Sequence, residues 1–394
     1  MQMKPYNFFA PTRVLFGEGQ LSNLHTLPMP GKKALLVISN GKSTITNGSL
    51  ARTQEELKKA GCEYVVFNKV AANPLKEVVE EGAQCARDNG CDFVVALGGG
   101  SVMDAAKNMA MFAPQDSKDL WDYVFTDYGK KRVPEKPVLP WIAITTSAGT
   151  GSEVDAAGVI TNTKTNEKIG VGGFPGMMAL YAIVDPELMK TVPPKFTAYQ
   201  GFDALFHSLE GYIANNDNPM GEMVQRAAIE NIGKYLPRAI QNGNDMEARD
   251  AVAFANTMSG YSMDVSACTS EHSMEHAMSA YHTQLPHGAG LIMISYEYFK
   301  FWIDKHIIDD RFVAMAHFLG KEDAKKPEDF LEALLDLQKA CGVDDLKMSD
   351  YGIQKDEAMK FAKNARSAMG VLFQFDPAET TDEEIAGIYE RAYK

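Results

Sequence analysis

The sequence predicts an α/β domain built on a doubly wound parallel sheet, followed by an all-α domain. In the first half, short apolar runs are separated by segments of helical length. These runs do not alternate apolar and polar residues, which is typical of strands buried on both faces of a parallel sheet. Beyond residue 195 the strand signal fades and apolar residues recur at helical spacing. The sequence therefore predicts two domains of different architecture.

The predicted strands follow one another in the first half of the chain. Helical patterns near 49–60, 75–89 and 101–113 follow the first three of them, as in repeated strand-helix units. We expect one parallel sheet that ends near residue 185. Its predicted strands are 34–39, 63–67, 92–100, 138–146, 156–161 and 181–185.

The domain boundary is predicted near residue 190. Pro193 and Pro194 close the strand-rich region, and a long helical pattern starts after them. A chain of 394 residues also favours two domains, because single cores rarely grow beyond about 300 residues. The predicted domains are 1–190, which is α/β, and 191–394, which is all helical.

Charge and cysteine content exclude several classes of protein. The net charge of −13 argues against binding to nucleic acid or to an anionic membrane, because both need clustered Lys and Arg. The five cysteines form no CxxC pair, so we expect neither a disulfide framework nor a thiolate zinc site. No apolar run approaches the length of a membrane span. We therefore expect a cytoplasmic protein.

A glycine-rich loop follows the third predicted strand. In "ALGGGSVMDAAK" (96–107), Gly98, Gly99, Gly100 and Ser101 lie between a strand and a helix. Such a loop brings backbone N–H groups close to a phosphate at the positive end of the helix. The spacing is not GxGxxG, so a tight turn without a ligand stays open as an alternative. Asp104, one turn into the helix, is either a cofactor contact or a solvated acid that complements the helix dipole.

A second donor-rich loop, "TTSAGTGSEV" (145–154), follows a later strand. Its Thr, Ser and Gly residues offer hydroxyl and N–H donors without bulk, although a flexible polar loop is the plain alternative. Loops at the carboxyl ends of strands in one parallel sheet meet at the same edge, where such folds bind ligands. The two loops together predict a cofactor site better than either does alone.

Acidic and histidine residues in the second half have the spacing of metal ligands. Asp203 and His207 stand four residues apart within a helical pattern, and so do His272 and His276. Four-residue spacing places both side chains on one helix face, so both can bind one ion, although a hydrogen-bonded helix pair gives the same pattern. Oxygen and imidazole ligands suit Fe(II) or Zn(II). A metalloprotease is excluded, because its HExxH motif needs Glu where Ser273 stands.

These motifs resemble the iron-containing, or group III, alcohol dehydrogenase family. The resemblance covers nearly the whole chain and includes "PTRVLFGEGQL", "GGGSVMDAAK", "TTSAGTGSEV", "DPELMKTVPPKFTAYQGFDALFHSLEGY" and "HSMEHAMSAYHTQLPHGAG". It is greatest to the butanol dehydrogenase and aldehyde reductase branch. The resemblance implies a nucleotide-binding α/β domain followed by a helical metal-binding domain, the architecture also found in dehydroquinate synthase.

The resemblance also implies a role for each motif residue. His276 matches the histidine beside the nicotinamide and the substrate, where it can carry a proton, whereas His282 matches no ligand position. Lys168 matches a residue that reaches the cofactor ribose. The implied metal ligands are Asp203, His207, His272 and His287. The implied cofactor contacts are Gly98, Gly99, Gly100, Ser101, Asp104, Thr145, Thr146, Ser152 and Lys168.

The loop after the first strand bears on the choice of cofactor. Some relatives that use NAD have an acidic residue there, where it binds the ribose 2′-hydroxyl. In "VISNGKS" the corresponding residues include Ser39 and Gly41, with Lys42 beside them and no carboxylate. Without a carboxylate to repel a 2′-phosphate, NADP(H) is favoured over NAD(H).

The predicted function is reversible hydride transfer between a short-chain primary alcohol and NADP(H), assisted by Fe²⁺ or Zn²⁺. A homodimer is the expected assembly, since it is the commonest closed arrangement. Three alternatives stay open. One is a polyol dehydrogenase of the glycerol type, another is a lyase on the same fold, and the third is a non-redox metal-binding or sensory protein.

Overall fold

The computed structural model describes residues 5–394, which divide into two compact units. The α/β unit comprises residues 10–165 and 169–192. The helical unit comprises residues 193–394, together with residues 166–168 and the segment that ends at Phe9. The predicted boundary at residue 190 compares with a division after Val192, but nothing in the sequence indicates that residues 166–168 join the helical unit.

The α/β unit contains a six-stranded sheet in which every pairing is parallel. The strand order is β1-β8-β5-β4-β2-β3. The predicted doubly wound parallel sheet is therefore confirmed. The strands of the described residues are β1 Arg13–Phe16, β2 Lys33–Ser39, β3 Glu63–Val70, β4 Phe93–Gly98, β5 Trp141–Thr145, β6 Ala157–Asn162, β7 Glu167–Gly172 and β8 Tyr181–Val184. The first two residues of β7 belong to the helical unit. The α-helices of the α/β unit are α1 Ser43–Thr46, α2 Ser49–Lys59, α3 Lys76–Asp88 and α4 Gly100–Phe112.

One sequence prediction about the sheet is wrong, and strands β1 and β7 were not predicted. The apolar run at 156–161 forms β6, which pairs with β7 in a separate two-stranded sheet and does not join the parallel one. Strand β1 was not predicted at all, yet it pairs with β8 at the sheet edge. β1 has only four residues, and both of its ends are exposed, so it lacks the long apolar run of a central strand.

The centre of the sheet positions the glycine-rich loop. All residues of β4 and β5 are buried, because helices cover both faces of a parallel sheet. The strand order reverses between β2 and β4, and a crevice opens outside the carboxyl ends of strands at such a point. Residues 39–43 and 98–101 follow β2 and β4 there, which is the position that cofactors occupy in such sheets.

From residue 193 to residue 394 the described structure has helices and no strand, as predicted. Several helices begin at a residue that caps them. Asn218, Asp245 and Thr381 each accept a backbone N–H of the first turn that follows. The helices are α5 Pro194–Ile213, α6 Pro219–Gln241, α7 Met246–Val265, α8 Ser270–Tyr281, α9 His287–Asp304, α10 Asp309–Phe318, α11 Glu328–Ala340, α12 Ala358–Met369 and α13 Asp382–Ala392.

Helices α5, α8 and α9 form the interior of the helical unit. From Thr197 to Ile213 nearly every residue of α5 is buried, and all but the last residue of α8 is buried. Their buried residues include many polar ones, which need partners inside the protein. Within residues 5–394, no helix is long and apolar enough to span a bilayer.

Candidate metal centre and cofactor site

One face of α5 carries three groups able to bind or support a metal ion. Asp203, His207 and Glu210 stand at positions i, i+4 and i+7, so the helix aligns them along one stripe. All three are buried. Ionisable groups are buried in this way when they have partners or hold an ion.

Helices α8 and α9 supply the remaining histidines. His272 and His276 lie on α8, while His287 is the first residue of α9, directly after Pro286. Gly288 explains how α9 comes so close to α5, because a Cβ at this position would lie 2.1 Å from the carbonyl oxygen of Tyr199. The small residue next to His287 therefore brings this ligand candidate to the acidic face of α5.

The four predicted ligands converge on the carboxylate of Asp203. Its Oδ1 lies 3.3 Å from Nε2 of His287, 3.5 Å from Nε2 of His272 and 3.7 Å from Nδ1 of His207. The rings of His207 and His272 are stacked, with centroids 4.3 Å apart. Ligands about 2.0–2.2 Å from a tetrahedral ion lie about 3.3–3.6 Å from one another. The distances to His287 and His272 lie within this range and the distance to His207 is slightly longer, so the spacing fits ligands of one ion.

Buried atoms without partners support the same conclusion. Asp203 Oδ1 and His272 Nε2 are buried and have no hydrogen-bond partner among the described residues. Around them lie four buried acidic side chains, those of Asp203, Glu210, Glu271 and Glu275, and one buried ammonium, that of Lys168. Burial and the neighbouring Glu210 raise the pKa of Glu271 well above its ordinary value, so Glu271 does not add to the negative charge. Two negative charges are left over, which is the charge that one divalent cation balances. The residues present therefore fit a divalent metal ion.

The protonation equilibria respond to the same excess of negative charge. Burial alone acts to raise the pKa of Asp203, but the neighbouring His207 and His287 hold it well below the ordinary value. Burial acts to lower the pKa of His272, whereas Glu210 raises it well above the ordinary value. In the metal-free cluster, protonated histidines thus supply positive charge beside the carboxylates.

Glu210 supports the centre without facing the convergence point. Its Oε2 accepts the backbone N–H of Thr269 at 2.8 Å and the hydroxyl of Thr269 at 3.0 Å, at the start of α8. Its Oε1 accepts a hydrogen bond from Nδ1 of His272. One carboxylate therefore fixes the first turn of α8 and the orientation of a ligand ring.

Glu275 has the corresponding place beside His287. Its Oε2 accepts from Nδ1 of His287 and lies 3.1 Å from Nζ of Lys168. Nζ of Lys168 also donates to the hydroxyl of Ser279 at 2.8 Å. Lys168 is almost completely buried here. Its predicted contact with the cofactor ribose stays a prediction.

His276 lies next to His287, and His282 lies at the end of α8. A ring nitrogen of His276 is within 4.8 Å of ligand atoms of Glu275 and His287. Nδ1 of His276 is 2.7 Å from Sδ of Met369, and its ring centroid is 5.2 Å from that of His287. Burial, with Lys168 and His287 nearby, holds the pKa of His276 well below its ordinary value, so the ring is neutral. Nε2 of His282 bonds to Glu357 at 2.9 Å, at the end of α8. His282 therefore stabilises the helix end.

Sequence reasoning missed several members of this cluster. Glu210 continues the stripe of Asp203 and His207, and that spacing could have indicated it. The thiol of Cys268 lies within 4.8 Å of ring nitrogens of His207 and His272. Lys168 was predicted as a cofactor contact, but its ion pair with Glu275 was not, because the two residues lie more than a hundred positions apart in the chain. The groupings of potential ligands among the described residues all belong to this one cluster.

In the α/β unit, the glycine loop and the donor-rich loop pack against each other. A Cβ on Gly99 would lie 2.6 Å from Oγ of Ser147, and one on Gly100 would lie 2.2 Å from Thr150. Close packing of the two loops therefore requires glycine whether or not a phosphate binds. No side chain caps the N-terminus of α4, which starts at Gly100 and continues through the half-buried Ser101. This uncapped helix end is the feature that suits a phosphate.

The predicted polar contacts of the cofactor are largely bonded within the unit. Asp104 Oδ1 accepts from the hydroxyl of Ser152 at 2.6 Å, and Oδ2 accepts from the N–H of Val159 at 2.9 Å. The Thr145 hydroxyl donates to the carbonyl of Ser147 at 2.8 Å. Burial raises the pKa of Asp104 to about 6, although Lys107 opposes the shift.

The other predicted cofactor residues lie at the carboxyl edge of the sheet. Ser39 ends β2 and is half-buried, Gly41 is exposed, and Thr146 is half-buried with its N–H bonded to the carbonyl of Gly98 at 2.9 Å. The structure thus brings the loops after β2, β4 and β5 to one edge. Their contacts with a cofactor stay predictions.

The parallel sheet and the metal cluster together define a class of proteins. In this class an α/β unit is combined with a helical unit whose buried Asp and His residues suit a divalent metal. Comparison with known families identifies the particular family. Residues 11–186 match the model of iron-containing alcohol dehydrogenases, and residues 197–393 match the C-terminal model of the Fe-containing alcohol dehydrogenase family. The chain belongs to the iron-containing alcohol dehydrogenase family.

Similar proteins span the full length of the chain. It is 31% identical to an NAD-dependent methanol dehydrogenase of Bacillus methanolicus, over 98% of this chain and 99% of that protein. It is also 31% identical to an NADPH-dependent butanol dehydrogenase of Clostridium saccharobutylicum, over 98% and 97%. An archaeal alcohol dehydrogenase from a Red Sea brine pool has the same fold, with a TM-score of 0.91, 31% identity and 100% coverage of both chains. These relatives differ in cofactor and in substrate.

Proposed function

We propose that the protein catalyses reversible hydride transfer between a short-chain primary alcohol and NADP(H), as an alcohol dehydrogenase and aldehyde reductase. The observation that carries the proposal is the convergence of three histidines on Asp203, with buried atoms that lack hydrogen-bond partners. Membership in an oxidoreductase family supports the class of reaction.

Asp203, His207, His272 and His287 are the proposed ligands, and Fe²⁺ is the proposed ion, with Zn²⁺ as the alternative. When bound, the ion supplies Lewis acidity toward the substrate oxygen and the nicotinamide carries the hydride. The protein orients two of the imidazoles for binding through Nε2, since Nδ1 of His272 and Nδ1 of His287 each donate to a buried carboxylate. One carboxylate among the ligands leaves the ion part of its charge and hence its electrophilicity.

His276 is the proposed proton carrier. Its Nδ1 faces Met369, so Nε2 is the ring nitrogen left to exchange a proton with the substrate hydroxyl. The neutral state of this ring suits it to accept the proton that the alcohol loses on oxidation. In the reverse direction, protonated Nε2 returns that proton to the oxygen of the reduced aldehyde.

The proposed cofactor site is the carboxyl edge of the sheet. The uncapped start of α4 at Gly98–Ser101 would hold the pyrophosphate, and Ser39 and Gly41 would face the adenosine ribose. Asp104, Thr145, Thr146, Ser152 and Lys168 complete the proposed set, although Asp104, Ser152 and Thr145 already bond within the α/β unit.

The decisive experiment reloads metal-free protein with Fe(II) or Zn(II) and follows NADPH and NADH oxidation with butanal and related aldehydes. We expect metal-dependent turnover, with a higher kcat/KM for NADPH. If neither ion restores turnover with either cofactor, the proposed function is wrong.

A substitution after β2 tests the cofactor preference separately. Ser39→Asp places a carboxylate where it repels a 2′-phosphate and can accept from a 2′-hydroxyl. We expect kcat/KM to fall for NADPH and to be kept or raised for NADH. Equal effects on both cofactors would contradict the placement of Ser39 beside the adenosine ribose.

A further inference from the structure

A carboxylate and an ammonium both lie close to the same nitrogen of His287. Nδ1 of His287 bonds to Oε2 of Glu275, and Nζ of Lys168 lies 3.4 Å from that same Nδ1. Glu275 and Lys168 are themselves 3.1 Å apart, and both side chains are almost completely buried. The Nδ1 side of this histidine therefore has one acceptor and one donor within reach.

The acceptor and the donor require opposite tautomers of His287. A neutral imidazole has one N–H and one lone pair, and binding a metal through Nε2 needs the hydrogen on Nδ1. An ionised carboxylate only accepts, so Glu275 selects the Nδ1–H form. An ammonium only donates, so a bond from Lys168 to Nδ1 would place the hydrogen on Nε2. That hydrogen would occupy the position 3.3 Å from Asp203 Oδ1 where a metal must approach.

We propose that Glu275 selects the metal-binding tautomer of His287 against Lys168, and that Lys168 is thereby a positioning residue of the metal centre. The inference rests on the ligand set of the proposed function. While Glu275 is present, it takes the ammonium as an ion-pair partner and keeps it from Nδ1. The same ion pair limits the negative charge beside the ion and so preserves its electrophilicity.

Neighbouring residues are arranged to hold this pair. A Cβ on Gly290 of α9 would lie 2.7 Å from Cγ of Glu275, so glycine leaves the room that the carboxylate needs. The hydroxyl of Ser279, one turn beyond Glu275 on α8, accepts a second hydrogen of the ammonium at 2.8 Å. Gly290 thus leaves room for the carboxylate of Glu275, and Ser279 holds the ammonium of Lys168 beside that carboxylate.

His272 provides an internal comparison. Its Nδ1 bonds to Glu210, whose other hydrogen bonds come from the hydroxyl and backbone of Thr269 and from the backbone of His272. Within residues 5–394, the hydrogen-bond and ion-pair partners of Glu210 are Thr269 and His272, and neither carries an ammonium. A tautomer conflict is therefore expected at His287 and not at His272.

A double-mutant cycle on metal affinity tests the inference. The four proteins are wild type, Glu275→Leu, Lys168→Met and the double variant. Zn(II) or Co(II) affinity is measured by competition with a chelator, without cofactor or substrate. We expect Glu275→Leu to weaken binding about 100-fold, as loss of a carboxylate behind a ligand histidine does. In that background Lys168→Met should recover about tenfold, because the competing donor is gone.

The effect of Lys168→Met on metal affinity in the wild-type background distinguishes tautomer selection from simple charge repulsion. If Lys168 acted on the ion only through its charge, Lys168→Met would tighten binding equally in both backgrounds, because Coulomb terms add. We expect a change below about threefold in the wild-type background. Equal changes in the two backgrounds, or no recovery in the double variant, would overturn the inference.

Two further variants keep the test sound. If Glu275→Leu does not fold, the cycle is repeated with Glu275→Gln, where the same sign of coupling with a smaller size is expected. Lys305→Met is the control, since Lys305 also forms an ion pair in the same unit, with Glu384 at 2.8 Å. The Lys305→Met variant should leave metal affinity unchanged. Metal affinity needs no turnover, so a protein that shows this coupling but reduces no aldehyde contradicts only the proposed function.

Discussion

The metal cluster and the glycine-loop edge of the sheet both gather buried polar residues, but they satisfy them differently. At the sheet edge, both oxygens of Asp104 have donors, and the hydroxyls of Ser152 and Thr145 have acceptors. In the metal cluster, Asp203 Oδ1 and His272 Nε2 have no hydrogen-bond partner among the described residues. The sheet-edge groups are satisfied by the protein itself, whereas the metal cluster has buried atoms that a bound ion would satisfy.

This difference distinguishes residues that stabilise the fold from residues that are available to bind a ligand. A buried polar atom without a partner costs about 1–3 kcal/mol, so a folded protein keeps it where a ligand compensates. Substitutions in the metal cluster should therefore affect mainly binding and rate. Substitutions of the sheet-edge residues that bond within the α/β unit should lower stability in addition to their effect on cofactor binding.

The largest expected effect is that of His272→Ala. Loss of one imidazole should abolish metal retention and lower kcat/KM about a thousandfold or more, because several kcal/mol of Lewis-acid stabilisation are lost. Metal content after dialysis and kcat/KM with butanal check this. If the His272→Ala variant retains one equivalent of metal, His272 is not a ligand. That result would contradict the difference between the metal cluster and the sheet edge.

His276→Ala should lower the rate and spare the metal. We expect kcat to fall about 10²–10⁴-fold, which is the usual contribution of a positioned proton carrier, with metal content unchanged. Metal analysis alongside kcat distinguishes this role from that of a ligand. Loss of metal from this variant would reverse the roles assigned to His272 and His276.

Gly288→Ala tests the close approach that places His287. The new Cβ would meet the carbonyl of Tyr199, so we expect the free energy of unfolding to fall by about 1–3 kcal/mol and metal affinity to fall with it. Gly387→Ala in α13 is the matched control, since its Cβ meets only the flexible end of Arg391. The control should be neutral or stabilising by up to about 1 kcal/mol. Urea unfolding of both variants decides, and equal effects would contradict the steric argument.

Asp104→Asn should change the pH dependence of stability more than the rate. Because burial raises the pKa of Asp104 to about 6, the folded protein holds a proton that the unfolded chain releases near pH 4. Asp104 therefore contributes less stability as the pH rises from 4 to 6. The stability of the variant relative to wild type should rise over this interval by about 2–3 kcal/mol. Urea midpoints at pH 4.5 and pH 7.5 measure it, and a difference independent of pH would contradict the burial of the charge.

Local spacing predicted much of the fold and part of the site. The long apolar runs of β2, β4 and β5 identify central parallel strands, and four-residue spacing brings Asp203 to His207 within one helix. The spacing rule also allowed His276 as a ligand. The structure places Nδ1 of that ring against Sδ of Met369 and its centroid 5.2 Å from that of His287, so its role as a proton carrier stays a prediction.

Features that depend on distant contacts could not be predicted. β1 is a strand because β8 offers it an edge, and β6 leaves the parallel sheet because β7 pairs with it. The ammonium of Lys168 meets Glu275 from 107 positions away in the chain. Periodicity within a segment contains no information about such pairs. The spacing of Glu210 relative to Asp203 and His207 could be read from the sequence, but its burial could not.

Glu210 connects the backbone at the start of α8 to the ring of a proposed metal ligand. Its Oε2 accepts from the amides of Thr269 and His272, while its Oε1 holds the ring of His272. When the first turn of α8 frays, the ring loses its anchor at the same moment. The exchange of these two amide hydrogens with solvent and the departure of the metal should therefore share one opening event. Saturating the protein with metal should slow hydrogen exchange at Thr269 and His272 more than at the opposite end of α8.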